Sequence, residues 1–412
     1  MSANGASKMT IRKPLLIEIF DAANIRRWND KICPVELREL DKQAHKSVIA
    51  FVLGKLTEAS GEKVDWQVVM ESCIFGFLQR LVLIDIKPQI LHEIRKDRAL
   101  YTDLNEWVCK RLHPVLSPLG QTFLRDFRDH LASSNSSLSK RIVDAAHFYA
   151  TKWEFDIIER ANPSGYEIDD IRERLLQQRE EYNDLRGVQQ LVLCRNYRNF
   201  IDLCGELRFQ LRWSQIGHRV PRTSVLGHTF VVALLSYLFS LEIKACPQRR
   251  YNNFYTGLFH DLPEVLTRDV VDPVKRSVPG LGRVIRKYER KQMEEVVIPL
   301  IPKEWQPEMR LFTGTMQGID EFSDVVVHGG RLKKASEKQM KSQNRDSKNP
   351  RDGRIVQASD DLTAYIEAYL AKKSGIVSPY LDKAVSSLEK KYKTKVVAGI
   401  DFGEIYADFR DY

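Results

Sequence analysis

Apolar side chains recur at three- and four-residue spacing along nearly the whole chain, and that period leaves little choice of fold class. Leu40 to Leu56, Trp66 to Leu83, Gln121 to Leu131, Lys140 to Ile158 and Ile171 to Leu185 carry it in the first half. Val225 to Ile243, Phe254 to Leu262, Ile285 to Leu300, Ile355 to Ala371 and Ala384 to Lys391 carry it in the second. No segment alternates convincingly as a half-buried strand does, so the chain reads as all-α. Its 412 residues exceed one ordinary core and point to two domains.

The two halves resemble each other. Arg27-Trp28 recurs as Arg212-Trp213, 185 residues on; His45 recurs as His228, at 183; Phe75 and Asp85 recur as Phe259 and Asp269, at 184. Arg141-Ile-Val-Asp-Ala145 then recurs as Arg354-Ile-Val-Gln-Ala358, at 213. The jump of 29 matches one insertion, a basic segment at 329–354. Landmarks that keep order and spacing argue for a tandem duplication, residues 1–195 and 196–412. Helical periodicity alone does not call for an Arg-Trp pair twice.

Composition narrows the partners. A net charge of +9 and a pI near 9.1 are compatible with anionic ligands or nucleic acid. Much of the excess lies in Arg331 to Arg354, which is polar, aperiodic and reads as a mobile surface loop, or as an arm attracting phosphate. The longest apolar run, Phe230 to Ile243, is too short to span a bilayer, which argues against a membrane partner. MSANGASKMTIRKP lacks the apolar core of a secretory signal, and six cysteines without a CxxC pair suit reduced thiols in a cytoplasm.

One stretch gathers chemistry. Residues 257 to 275 read GLFHDLPEVLTRDVVDPVK, with His260 and Asp261 adjacent at the end of an apolar run. Pro263 cannot continue the helical ladder, so a helix ends near the His-Asp pair and restarts with Glu264 in its first turn. Such a pair needs partners from other elements to hold an ion. His228 lies in one apolar helix and Asp360 in another.

The order His228, His260-Asp261, Asp360 on successive helices resembles the HD-domain phosphohydrolase superfamily. HTFVVALL, FHDLPEVLTRDVVDPVK and QASDDLTAYIEA are similar in wording and order to the bacterial HD-domain 5'-deoxynucleotidases, and Arg212-Trp213 stands where that family has such a pair. The resemblance implies that His228, His260, Asp261 and Asp360 bind one divalent cation. Two imidazoles and two carboxylates suit Mn²⁺, Co²⁺, Fe²⁺ or Zn²⁺. The ion would polarise a phosphoryl group and lower the pKa of the attacking water. Glu264 resembles the catalytic acid of the family and would handle the leaving-group proton or orient water. Asp269 resembles a second active-site acid, with a helix N-cap as its plainer role. Arg212 would grip phosphate, Trp213 would wall the sugar and base pocket or serve as a core aromatic, and Lys275 would face the substrate or solvent.

The sequence departs from that pattern in places. Gly227 precedes His228 where relatives often carry an acid, Asp361 follows Asp360 as a rival ligand, and the basic insertion precedes both. His328 is a further candidate ligand or a loop-edge histidine. The expected activity is removal of phosphate from 5'-(deoxy)nucleoside monophosphates. The same metal logic serves a deoxynucleoside triphosphohydrolase or a cyclic-nucleotide phosphodiesterase. A non-catalytic nucleotide-sensing or nucleic-acid-binding regulator is the competitor from another class. In the first half His45, Gly76, Phe77 and His147 stand at the ligand positions and Arg80 at that of Glu264, so that half is expected to be catalytically silent. Members of the family tend to form homodimers, so the silent half would replace a partner within one chain, with further self-association left open.

Overall fold

A computed structural model of the chain describes residues 11–84, 86–133, 137–216, 219–269 and 278–410. Helices make up the fold, and the described strands pair as three two-stranded antiparallel ribbons. Two helices, Glu39–Ala59 and Val225–Glu242, run through the middle and pack against each other.

Val225–Glu242 is apolar on every side, and such a helix must be buried. Residues 225 to 240 are buried throughout, with the Ser224 hydroxyl accepting from the Gly227 N–H to cap its start. This helix is long and apolar enough to cross a membrane, yet 89% of it is buried inside the protein. Pro247–Phe259 and Gly353–Lys373 pack on it. Gly257 lets the first of these touch it backbone to backbone: a Cβ there would stand 2.7 Å from Ala233 Cα. Glu39–Ala59 is covered in the same way by Trp66–Val82 and Leu138–Ala161. The rings of Phe51 and Tyr255 meet at 4.9 Å, and the Tyr237 hydroxyl donates to Glu71 at 2.7 Å, so one core serves both halves.

Local details recur between the halves. Trp28 and Trp213 have positive φ of 57° and 58°. The Trp28 indole N–H donates to Glu154 Oε2 at 3.0 Å, and the Trp213 indole N–H donates to Glu367 Oε2 at 2.8 Å. Trp28 packs with Phe155, Ile158 and Ile168; Trp213 packs with Ala368, Ala371 and Leu381. Each of these partners, like Glu154 and Glu367, lies 213 residues from its counterpart. The Glu39 N–H bonds Ile25 O at 3.0 Å where the Val225 N–H bonds Gln210 O at 2.8 Å.

That last correspondence corrects the register read from sequence. With Glu39 opposite Val225, the residue opposite His228 is Lys42, and His45 is one turn further along. His45 is buried on Ile201 O at 3.0 Å and beside Arg208 at 3.2 Å. Residues three apart share a helix face, so a shift of one turn preserves the apolar pattern and hides the slip.

The basic segment also differs from expectation. Instead of a mobile loop it forms an ordered hairpin, Val325–His328 with Arg331–Lys334, and the capped helix Glu337–Ser342. Its end is tied into the core: Arg351 is buried on Ser323 O at 2.7 Å, and Asp352 pairs with buried Arg249 at 2.5 Å. Buried arginines need such fixed partners, and burial of those two residues is not visible in a polar composition. The expected Ile285 to Leu300 helix is Leu281–Gln292 followed by a π-turn and a 3₁₀ turn at Pro299.

Candidate metal centre

The Pro247–Phe259 helix ends where Pro263 requires it, with His260 as its C-cap, and a short helix restarts at Glu264. The close approach at Gly257 then sets His260 beside His228, with ring centroids 5.9 Å apart. Asp360 arrives from Gly353–Lys373, and its Oδ1 lies 2.9 Å from His228 Nε2. One ligand atom each of His228, His260 and Asp360 lies within 4.8 Å of the others, a span one ion can fill. Asp261 adds a carboxylate 3.3 Å from His260 Nε2.

The chemistry of these atoms fits a cation. The His260 Nδ1–H donates to Gly257 O at 2.9 Å, which leaves the Nε2 lone pair to point into the cluster. Buried His260 Nε2 makes no hydrogen bond. His228 Nδ1 faces Glu367 Oε1 at 3.5 Å, the carboxylate–histidine pairing that orients ligating imidazoles. Burial disfavours charge on His228, and so does Arg212, yet the bonds to Asp360 and Glu367 outweigh both and raise its pKa. Burial likewise opposes charge on Asp360, but the His228 hydrogen bond and the nearby His228, His260 and Arg212 charges hold it well below the usual carboxylate range.

Arg212 sits at the edge of this cluster. Its Nε donates to Glu367 at 3.2 Å and its Nη1 lies 3.7 Å from Asp261 Oδ2. Despite burial, the charges of Glu367, Asp269, Asp261 and Asp360 keep the guanidinium firmly protonated. Asp269 is thus within electrostatic reach of Arg212. Glu264 is buried one turn beyond Asp261. The Trp213 ring is packed among core side chains, with its N–H on Glu367. Asp361 turns away to Lys391 at 2.5 Å and Tyr392 at 2.6 Å, so Asp360 is the member of the pair in the cluster. His328 is exposed on the hairpin. Lys275 and Asp85 lie outside the described residues.

Three neighbours were not read from the sequence. Glu367 gathers Arg212, Trp213 and Thr223 on one buried carboxylate. Glu321 feels the charges of His260 and Asp261, with burial chiefly raising its pKa, and Phe322 lies 6.3 Å from the His260 ring. Glu367 had a signal, its position seven residues after Asp360 on the same helix face. Glu321 and Phe322 lie outside the named helices and had none.

A 70-residue stretch is 31% identical to a 5'-deoxynucleotidase of Vibrio vulnificus, covering 17% of this chain. The chain spans only about a third, 36%, of that relative's length. The family model of the HD domain matches residues 204–389, so the C-terminal half of this chain carries an HD domain.

Proposed function

We propose that the chain is a metal-dependent phosphohydrolase acting on 5'-(deoxy)nucleoside monophosphates. The observation that carries this reading is the convergence of His228, His260 and Asp360 within 4.8 Å, with Asp261 and Arg212 at its rim. His228, His260, Asp261 and Asp360 would hold one divalent ion, of the Mn²⁺, Co²⁺, Fe²⁺ or Zn²⁺ type by ligand chemistry. When bound, such an ion polarises a phosphoryl oxygen and makes water a better nucleophile.

The chain's own groups supply the rest. Glu367 holds the Nε edge of Arg212, so the Nη edge is turned towards Asp261 and a phosphate placed there. The same carboxylate fixes the Trp213 indole. Glu264, buried beside the His-Asp turn, would place water or return a proton to the leaving 5'-oxygen. Asp269 would balance the charge of Arg212. The kinship with a 5'-deoxynucleotidase supports the monophosphate substrate.

Residues 1–195 fit the role of a silent HD-like unit occupying a partner's place. Both halves share the Arg-Trp-Glu arrangement, while Gly76 and Phe77 stand near the ligand positions of the first half and offer no donor. Six free cysteines among the described residues suit a reducing, cytoplasmic setting.

The test is orthophosphate release from a panel of nucleoside mono- and triphosphates and cyclic nucleotides with Mn²⁺ or Co²⁺. Orthophosphate from monophosphates is the expected product. Tripolyphosphate, or a linear monophosphate from a cyclic substrate, would move the reading to the neighbouring phosphohydrolase classes. Turnover that survives His260→Ala with Asp261→Ala would sink it.

A further inference from the structure

In the first half the place of the metal ligands is taken by two lysines. Lys42, opposite His228 in register, sets its Nζ 2.9 Å from His147 Nε2, and His147 is 213 residues before Asp360. The pair therefore repeats the His228–Asp360 contact with a cation in place of a ligand. Lys46 follows one turn later, and its Nζ would lie 3.7 Å from a Cβ on Gly76, the residue opposite His260. Its hydrogen bond goes to a carbonyl, Cys73 O at 3.3 Å. Arg80 stands opposite Glu264 with its side chain 23% exposed, its Nε 3.6 Å from Glu39 and its Nη1 donating to Leu83 O at 2.9 Å, so the cluster meets solvent at this rim while Lys42 and Lys46 are buried.

Two buried carboxylates nearby are already engaged, while Asp144 lies within electrostatic reach of Lys46. Glu39 is held by Arg27 at 2.9 Å, and Glu154 by Arg27 at 2.7 Å and Arg208 at 3.1 Å. Among the described residues neither lysine forms an ion pair. Burial first, and then Arg27, hold the Lys42 ammonium well below its ordinary range, with Glu39 and Glu154 opposing. Lys42 in turn does the same to His147, together with burial, Lys46, Arg27 and Arg95. Burial lowers the Lys46 pKa as well, so an anion is what would hold both protons; protonated, the two side chains carry the charge of one divalent ion but cannot ligate one. What they lack is an anion.

We propose that the N-terminal half binds a phosphate group, free or carried by a nucleotide, on Lys42, Lys46 and Arg80 without any metal. The inference rests on reading residues 1–195 as a second HD-like unit, and it does not depend on turnover by the first. A tetrahedral dianion between two buried ammonium groups and a guanidinium gains charge-assisted hydrogen bonds where the metal would otherwise supply the positive field. Phosphate on such a site is a ligand, since no group there activates water.

The experiment is calorimetric titration of the full chain in EDTA, first with inorganic phosphate and then with deoxyadenosine monophosphate. The expected result is saturable binding that weakens about tenfold or more in Lys46→Met and in Arg80→Met, from the loss of one charged hydrogen bond. Arg80→Met is the safer variant because its side chain lies at the rim, and unchanged helical circular dichroism shows that it is folded. Tighter binding of the nucleotide than of phosphate would assign the site to nucleotides; equal binding would assign it to the free ion. Absence of saturable binding, or binding that both N-terminal variants leave unchanged and that Arg212→Lys removes, overturns the proposal.

Discussion

The starts of the two central helices are built alike and charged oppositely. In Val225–Glu242 the first turns are apolar except for Thr229 and His228, and His228 faces acids: Asp360 at 2.9 Å and Glu367 at 3.5 Å. In Glu39–Ala59 the same turns bury Glu39, Asp41, Lys42, Gln43, His45 and Lys46. One half thus collects carboxylates around an imidazole, a setting that suits a cation; the other buries lysines there instead. The difference teaches that a helical scaffold can keep its clamp of Arg, Trp and Glu while the charge at its centre changes sign. The clamp belongs to the fold, and the ligands belong to the chemistry.

The sharpest break of this comparison is metal content. His260→Ala with Asp261→Ala should lower metal affinity by more than about a hundredfold, since removing ligands exceeds the cost of removing their supports. His147→Ala, opposite Asp360 in the first half, should leave one metal per chain. Elemental analysis of the purified variants reads this directly. Loss of metal from His147→Ala would show that the halves share one site.

The two clamp carboxylates sharpen it next. Glu154→Gln leaves buried Arg208 and Arg27 short of a counter-charge and should cost about 3 kcal/mol of stability. Glu367→Gln should cost a similar amount and in addition weaken metal binding roughly 10–100-fold, because Glu367 orients His228. Thermal melts paired with metal titrations separate the two effects. Equal metal weakening in both variants would count against a site confined to the second half.

Asp41 links the halves and carries a smaller effect. Its carboxylate accepts the Ser224 hydroxyl, and a Cβ on Gly227 would stand 2.9 Å from its Oδ1. Gly227 is therefore where an acid is missing next to His228, because Asp41 of the other half already fills that space. Burial pushes the Asp41 pKa up to about 6, against the pull of Arg208 and Ser224. A raised carboxyl pKa means that the folded state holds the proton more tightly than the unfolded chain. The cost of charge is then present above about pH 6 and fades as pH falls towards 4. Asp41→Asn should accordingly raise stability by about 2 kcal/mol at pH 7.5 and by much less at pH 5, as paired melts would report. A pH-independent gain would mean that the charge of Asp41 is not what costs stability.

The helical class and the His-Asp turn were legible because period and proline act locally. Pro263 ends its helix whatever surrounds it, and the apolar face of Val225–Glu242 has to be buried somewhere. The register between halves was legible only to within a turn, since His45 and Lys42 share a face. The ordered basic segment was not legible: Arg351 and Asp352 look like solvent-seeking residues until Ser323 and Arg249 are placed against them. Glu367 had only its place seven residues after Asp360 to mark it, its partners Arg212 and Thr223 being more than 140 residues away.

The choice between Asp360 and Asp361 gives the smallest expected effect and the finest test. Adjacent helical residues diverge by about 100°, so only one can reach His228. Asp361 instead bonds Tyr392 at 2.6 Å and Lys391, and its side chain is 19% exposed. Burial is the main cause of its raised pKa, with the Asp360 charge adding to it. Asp361→Asn keeps a hydrogen-bond acceptor for the Tyr392 hydroxyl and gives up one ion pair at the surface, worth about 0.5 kcal/mol or less. Metal content and hydrolysis should stay close to those of the unaltered chain, whereas Asp360→Asn should lose both. The reverse ranking, read by metal titration of the two variants side by side, would rotate the helix by one residue and dissolve the cluster on which the contrast between the halves is built.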